Sequence, residues 1–107
     1  MRIPKTAVIA PEKLTNYLLL PRLVDDKSRF LRRMGFTQSN PDVLEAAIRQ
    51  LADEADAGED GANVYGTFWR VAGILRGPVA NVNVILIWLE WHSDRSFHFI
   101  TLKPARD

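Results

Sequence analysis

Lysine, arginine, histidine and tyrosine can together cleave RNA without a metal, and in this 107-residue chain the candidates of those types are Tyr17, Lys27, Arg29, Arg32, Arg33 and His98. Such cleavage needs a base for the 2′-hydroxyl, an acid for the leaving oxygen and cations for the charged phosphorane. In this set Lys27 would bind the scissile phosphate, His98 or Tyr17 would exchange protons, and the three arginines would guide RNA. Lys27 is the odd residue of "LVDDKSRFLRRMGF" (23–36). On a helix starting after Asp25 or Asp26 it falls within the apolar stripe of Phe30, Leu31 and Met34, with the arginines on the opposite face. A lysine in a first turn also opposes the helix dipole.

Each candidate has a structural explanation beside the chemical one. Lys27 can run its ammonium past the helix end while its stem covers Phe30. The arginines can be a solvated face. His98 alternates with Ile100 and Leu102, which predicts an inward histidine, and Tyr17 lies on an apolar helical stripe. Tyr65, Trp69, Trp88 and Trp91 lie near Arg70 and Arg95 and could stack bases, although burial on two sheet faces explains them too.

Other chemistries are narrowed by composition. The chain has no cysteine, which removes disulfides, thiol nucleophiles and thiolate metal sites. With His92 and His98 as the only histidines, a multi-histidine centre is excluded, and no carboxylate cluster has ligand spacing. We therefore expect neither metal nor cofactor. "GEDGANVYG" lacks the lysine and the preceding strand of a phosphate-binding loop. No nucleophile elbow is recognisable, and Asp42 to Asp60 read as the solvated face of a helix rather than a glycosidase pair. The longest apolar run, "VILIWL" (84–89), is too short to cross a bilayer, and the start lacks a signal core. A cytoplasmic protein without membrane contact is expected.

The net charge of +1 conceals an asymmetry: residues 1–40 carry eight Lys/Arg against three Asp/Glu, residues 41–60 one against seven. The basic third can face phosphates or an acidic partner, or be neutralised within the fold by the acidic segment.

The positioning elements follow from periodicity. "TAVIAPEK" predicts an extended segment ending at Pro11, which suits a first helical turn. Leu14, Tyr17 and Leu18 share a face of the first helix, and Pro21 ends it. Gly35 and Phe36 predict a Schellman ending for the second. In "SNPDVLEAAIRQLADEADAGEDG", Asn40 predicts the N-cap and Pro41 N1, with Leu44, Ala47, Ile48, Leu51 and Ala55 at helical spacing. Gly58 to Gly61 reads as an acidic turn. From there the period becomes two: "ANVYGTFWRVAGILRG" is one bent strand or two, "GPVAN" a turn, and "VNVILIWLEW" a central strand apolar on both faces and so covered on both sides. "HSDR" turns into a last strand, "SFHFITLKP". The sum is one α+β domain over 1–107, three N-terminal helices packed on an antiparallel meander of three to four strands. Three helices are few for covering two faces, so a partner or a homodimer is expected.

"PEKLTNYLL", "DDKSRFLRRMGF", "GILRGPVAN", "IWL" and "ITLKP" together resemble, in order, the motifs of a family of small bacterial domains of unknown function. The pattern falls on Lys13, Leu14, Tyr17, Leu18, Lys27, Gly35, Phe36, Gly77, Pro78, Trp88, Thr101 and Pro104. The chain departs from it at "VAN" after Gly77-Pro78 and at "FHF" before the threonine. The resemblance implies the larger half of a toxin–antitoxin-like pair, with a small antitoxin-like protein as partner and RNA as a possible target. The element order is also similar to that of metal-free RNases of the barnase and RelE-like group. Two functions are thus expected in competition: a toxin-like endoribonuclease, or a non-catalytic interaction module working through an apolar sheet face. An open cationic cleft at Lys27 favours the first, and an ammonium paired with Asp25 or Glu12 the second.

Overall fold

Helices come first and the sheet last in the computed structural model, which describes residues 1–21 and 27–105. Helix α1, Pro11–Lys13, runs directly into a π-helical segment, Leu14–Leu18, closed by the Leu19 N–H on the Leu14 carbonyl at 2.8 Å. That wider turn, common at functional sites, buries Leu14, Leu18 and Leu19 together and leaves Tyr17 half-buried. Helix α2, Ser28–Met34, inserts Leu31 and Met34 into the core and leaves Arg29, Arg32 and Arg33 exposed, as the stripe predicts.

The Schellman ending is present. Gly35 has φ 101°, its N–H donates to the Arg32 carbonyl, and the Phe36 N–H donates to the Leu31 carbonyl. This corner supports the turn between the second and third strands: the Met34 carbonyl accepts from the Val79 N–H at 2.9 Å. A Cβ on Gly77 would run into that same carbonyl oxygen. Gly35, Gly77 and Pro78 of the motif pattern are thereby accounted for as one packed corner.

Helix α3, Pro41–Glu54, buries Leu44, Ala47, Ile48, Leu51 and Ala52. Asn40 stands at its N-cap position, but the side chain does not cap the helix. It turns back instead, Oδ1 accepting from the Thr37 N–H at 2.7 Å and Nδ2 donating to the Gly35 carbonyl. The loop entering α3 wins the competition for that amide.

Four antiparallel strands follow in sequence order: β1 Ala57–Ala62, β2 Gly66–Arg76, β3 Asn81–Trp91 and β4 Phe97–Pro104. The segment expected as an acidic turn is therefore strand β1. It is an edge strand that contributes backbone pairing while only Ala57 is buried, so it shows no hydrophobic period. On the opposite edge Val8 pairs in parallel with His98, through hydrogen bonds to Phe97 and Phe99.

The helices cover one sheet face, where Val71, Leu75, Val84, Leu86, Trp88, Phe99 and Leu102 form the core with Leu44, Ile48 and Met34. No described helix lies over the other face. The covering of β3 on both sides, expected from its two apolar faces, is only partial among the described residues: Leu89 is buried on this second face without a helix above it. Ile85, Ile87 and Trp91 are only half-buried there, and Ile74 is 47 % exposed.

Candidate functional site

Three distant segments meet at the ammonium of Lys27. The residue stands just before α2, its carbonyl accepting the first helical bond from the Leu31 N–H at 3.0 Å. Its side chain does not run out past the helix end. It turns inward, and Nζ donates to the Tyr17 phenol oxygen and to Thr101 Oγ1, both at 3.2 Å. The ammonium is also 5.3 Å from the centre of the Tyr17 ring, and Lys13 Nζ lies 5.8 Å from that centre. Two ammonium groups, a phenol and an alcohol are thus collected from α1, the π-helical segment, the start of α2 and β4.

A β-bulge supplies the alcohol. Phe99 pairs with Trp88 but Thr101 with Ile87, leaving Ile100 as the extra residue of β4. The bulge also reverses the phase of the strand. His98, Ile100 and Leu102 were expected on one face. Instead Phe97, Phe99 and Leu102 are buried towards the helices, and His98 is half-buried on the helix-free face, edge-on to Trp91 at 5.7 Å and hydrogen-bonded to Ser96 Oγ at 2.9 Å.

The structure therefore brings Lys27 and Tyr17 together and leaves the other predicted residues outside their contact. Arg29, Arg32 and Arg33 stay in solvent on α2, and His98 is held by Ser96 and Trp91. Asp25 lies outside the described residues, and Glu12 is exposed on α1. Beside His98, Asp94 has its carboxyl held below the ordinary carboxylate range, first by the Ser96 hydroxyl, at 2.6 Å, and then by the Ser96 N–H, at 3.0 Å. A cavity of about 140 Å³ beneath the N-terminal segment, lined by Ile3, Ala7, Arg49, Asp53 and Trp88, includes none of the six candidates. Among the described residues no group of three His, Asp or Glu is placed to hold a metal ion, and no helix is long and apolar enough to cross a membrane.

The family model described as a domain of unknown function, DUF6883, matches residues 3–106. The chain belongs to the DUF6883 family. No curated protein and no solved structure matches it. In this DUF6883 domain seven of the twelve pattern positions fall in two places: Gly35, Gly77 and Pro78 build the corner at the end of α2, and Lys13, Tyr17, Lys27 and Thr101 meet at the other end of that helix, while Leu14, Leu18, Phe36 and Trp88 are core residues. Lys13 and Thr101 were pattern positions to which the residue chemistry assigned no role. Thr101 has no periodic signal because the bulge that aims it is invisible in the strand pattern.

Proposed function

We propose that this DUF6883 domain is a toxin-like, metal-free endoribonuclease, with the Lys13–Tyr17–Lys27–Thr101 cluster as its phosphate site. The observation that supports this is the ammonium of Lys27 fixed between two hydroxyls, with a second lysine on the same phenol ring. A phosphodiester offers anionic oxygens to such a cluster, and charge-assisted bonds to phosphate strengthen as the phosphorane forms. In the reaction the 2′-hydroxyl oxygen attacks phosphorus and its proton passes to a base. The bond from phosphorus to the 5′-oxygen breaks, and that oxygen takes up a proton. Lys27 and Lys13 stabilise the added negative charge, Thr101 holds the ammonium in place, and Tyr17 is the group within the cluster able to carry a proton. A small antitoxin-like protein would hold such an enzyme inactive in a bacterial cytoplasm.

The test is total RNA integrity after sudden expression of the chain alone in a bacterium, beside Lys27→Ala. Growth arrest and cleaved RNA with 5′-hydroxyl ends, both lost in a folded variant, are expected. Intact RNA and normal growth with the wild type would overturn the reading.

A second reading has its own observation. Ile74, Ile85 and Ile87 lie together by register on the helix-free face, an apolar patch of the kind that marks protein contacts. A non-catalytic module would bind a partner or a second copy there, and Lys27 would then only tie α2 to β4.

A further inference from the structure

Strand register places two adjacent rows on the helix-free sheet face. Phe68, Leu89 and His98 align across β2, β3 and β4, and Val8 completes the row. The next row is Arg70, Ile87 and Thr101, about 7 Å away at two residues of strand rise. This second row has an exposed guanidinium at one end. At the other is the threonine that holds Lys27 Nζ. Beyond the first row, Trp91 stands edge-on to both Tyr65, at 6.1 Å, and His98, at 5.7 Å. Tyr65 is 62 % exposed, and the Trp91 indole N–H is buried with no hydrogen-bond partner among the described residues.

Strands β2, β3 and β4 bring only cations to this face, and Asp94 adds a carboxylate linked to His98 through the Ser96 hydroxyl. The register assigns Arg70, Arg76 and Lys103 to it, all exposed, and no Asp or Glu of β2, β3 or β4. The aromatic residues noted in the sequence also separate here. Trp88 is buried under the helices and Trp69 donates to Glu90, so Tyr65 and Trp91 are the aromatic residues left to a ligand. Exposed rings beside cations on a sheet are what unstacked bases and their backbone require, whereas a duplex keeps its bases stacked and out of reach.

We propose that the helix-free sheet face binds single-stranded RNA. Bases stack on the Tyr65–Trp91–His98 ladder, and the backbone runs past Arg70 to the Lys27 ammonium. His98 and Thr101 stand in adjacent rows, about 7 Å apart because Ile100 is bulged out of the ladder, a path that about two stacked nucleotides cover. This rests on the ribonuclease reading of the Lys27 cluster and adds the form of the substrate and its route.

The experiment uses a fluorescein-labelled single-stranded 2′-O-methyl oligonucleotide, which cannot be cut by 2′-hydroxyl attack, and its duplex. Binding is read by anisotropy for the wild type, Tyr65→Ala and Arg70→Glu. Both side chains are exposed, and melting curves verify that the variants fold. The single strand binds the wild type better than the duplex does, Tyr65→Ala weakens binding about tenfold, and Arg70→Glu weakens it and flattens its salt dependence. Unchanged affinity in both variants, or preference for the duplex, overturns the proposal. So does absence of strand binding while polyglutamate quenches tryptophan fluorescence, a result that assigns the face to an acidic protein. Unmodified RNA is assayed in parallel. Strand binding without cleavage retains the face and removes the nuclease, while cleavage by variants of equal affinity does the reverse.

Discussion

Replacing Lys27 by methionine separates a phosphate ligand from a structural tie. Methionine keeps an unbranched stem of similar length and removes the charge and its bonds. Among the described residues two hydrogen bonds are lost, each from a cation to a neutral hydroxyl at 3.2 Å. Bonds involving an ion contribute about 1.5–3 kcal/mol each. This length is at the long end for N–H···O, so the lower figure applies and the gross loss is about 3 kcal/mol. The contact with the Tyr17 ring adds about 0.5–1 kcal/mol. Against this, the variant avoids desolvating an ammonium, which costs several kcal/mol for a fully buried ion and a fraction of that for half-buried Lys27. Thr101 Oγ1 is not stranded, because the Leu102 carbonyl is 3.4 Å away. The net change is within about 2 kcal/mol, or within about 8 °C of Tm for a domain of this size. Catalysis should respond on a different scale, because removing one donor aimed at developing charge costs about 10²–10³ in rate. The assay pairs a thermal melt with single-turnover cleavage of a fluorescent RNA in EDTA. A folded variant that cuts as fast as the wild type refutes the phosphate role. A variant destabilised by more than about 4 kcal/mol refutes the energetics, since that is the signature of a broken, fully buried pair.

Thr101→Val removes a hydroxyl that holds the ammonium but offers no charge. Cleavage should fall by less than in the lysine variant, about tenfold, with the melt within about 1 kcal/mol of wild type; a loss as large as that from Lys27→Met would make Thr101 a direct ligand. Gly77→Ala drives a methyl into the Met34 carbonyl at the α2 corner and should cost about 1–3 kcal/mol, read as a lower urea midpoint with unchanged m-value. Asp94 has its carboxyl held low by Ser96 in the folded chain, so its contribution to stability is complete above its unfolded value, about 3.9, and is lost as pH falls through the lower folded value. The Tm difference between wild type and Asp94→Asn should therefore be constant near neutrality and shrink below about pH 4; a difference that grows on acidification contradicts the assigned direction.

What the sequence carried was periodic, and what it concealed was where a period breaks. The stripe of α2, its glycine corner and the apolar β3 all repeat at the spacing of their element, and all stand where that spacing puts them. Strand β1 was invisible because an edge strand of glycine and acidic residues is held by backbone pairing, which side-chain patterns do not encode. The Asn40 amide was misread for a related reason: its type suits a helix cap, but Thr37 offers a nearer donor. The bulge at Ile100 had the largest consequence. A single extra residue sets His98 and Leu102, which strict alternation groups on one face, on opposite faces: Leu102 in the core and His98 out of it. Strict alternation puts His98 under the helices, where it would be one more satisfied polar group. With the bulge it joins Trp91 and Tyr65 on an accessible face, one row from the lysine cluster. Deleting Ile100 would leave Phe99 opposite Trp88, Thr101 opposite Ile87 and Leu102 opposite Leu86 with no extra residue between them, so Leu102 keeps its place in the core while the local bend that aims Thr101 at Lys27 is lost. A deletion variant that kept wild-type RNA cleavage would show that the bulge positions nothing.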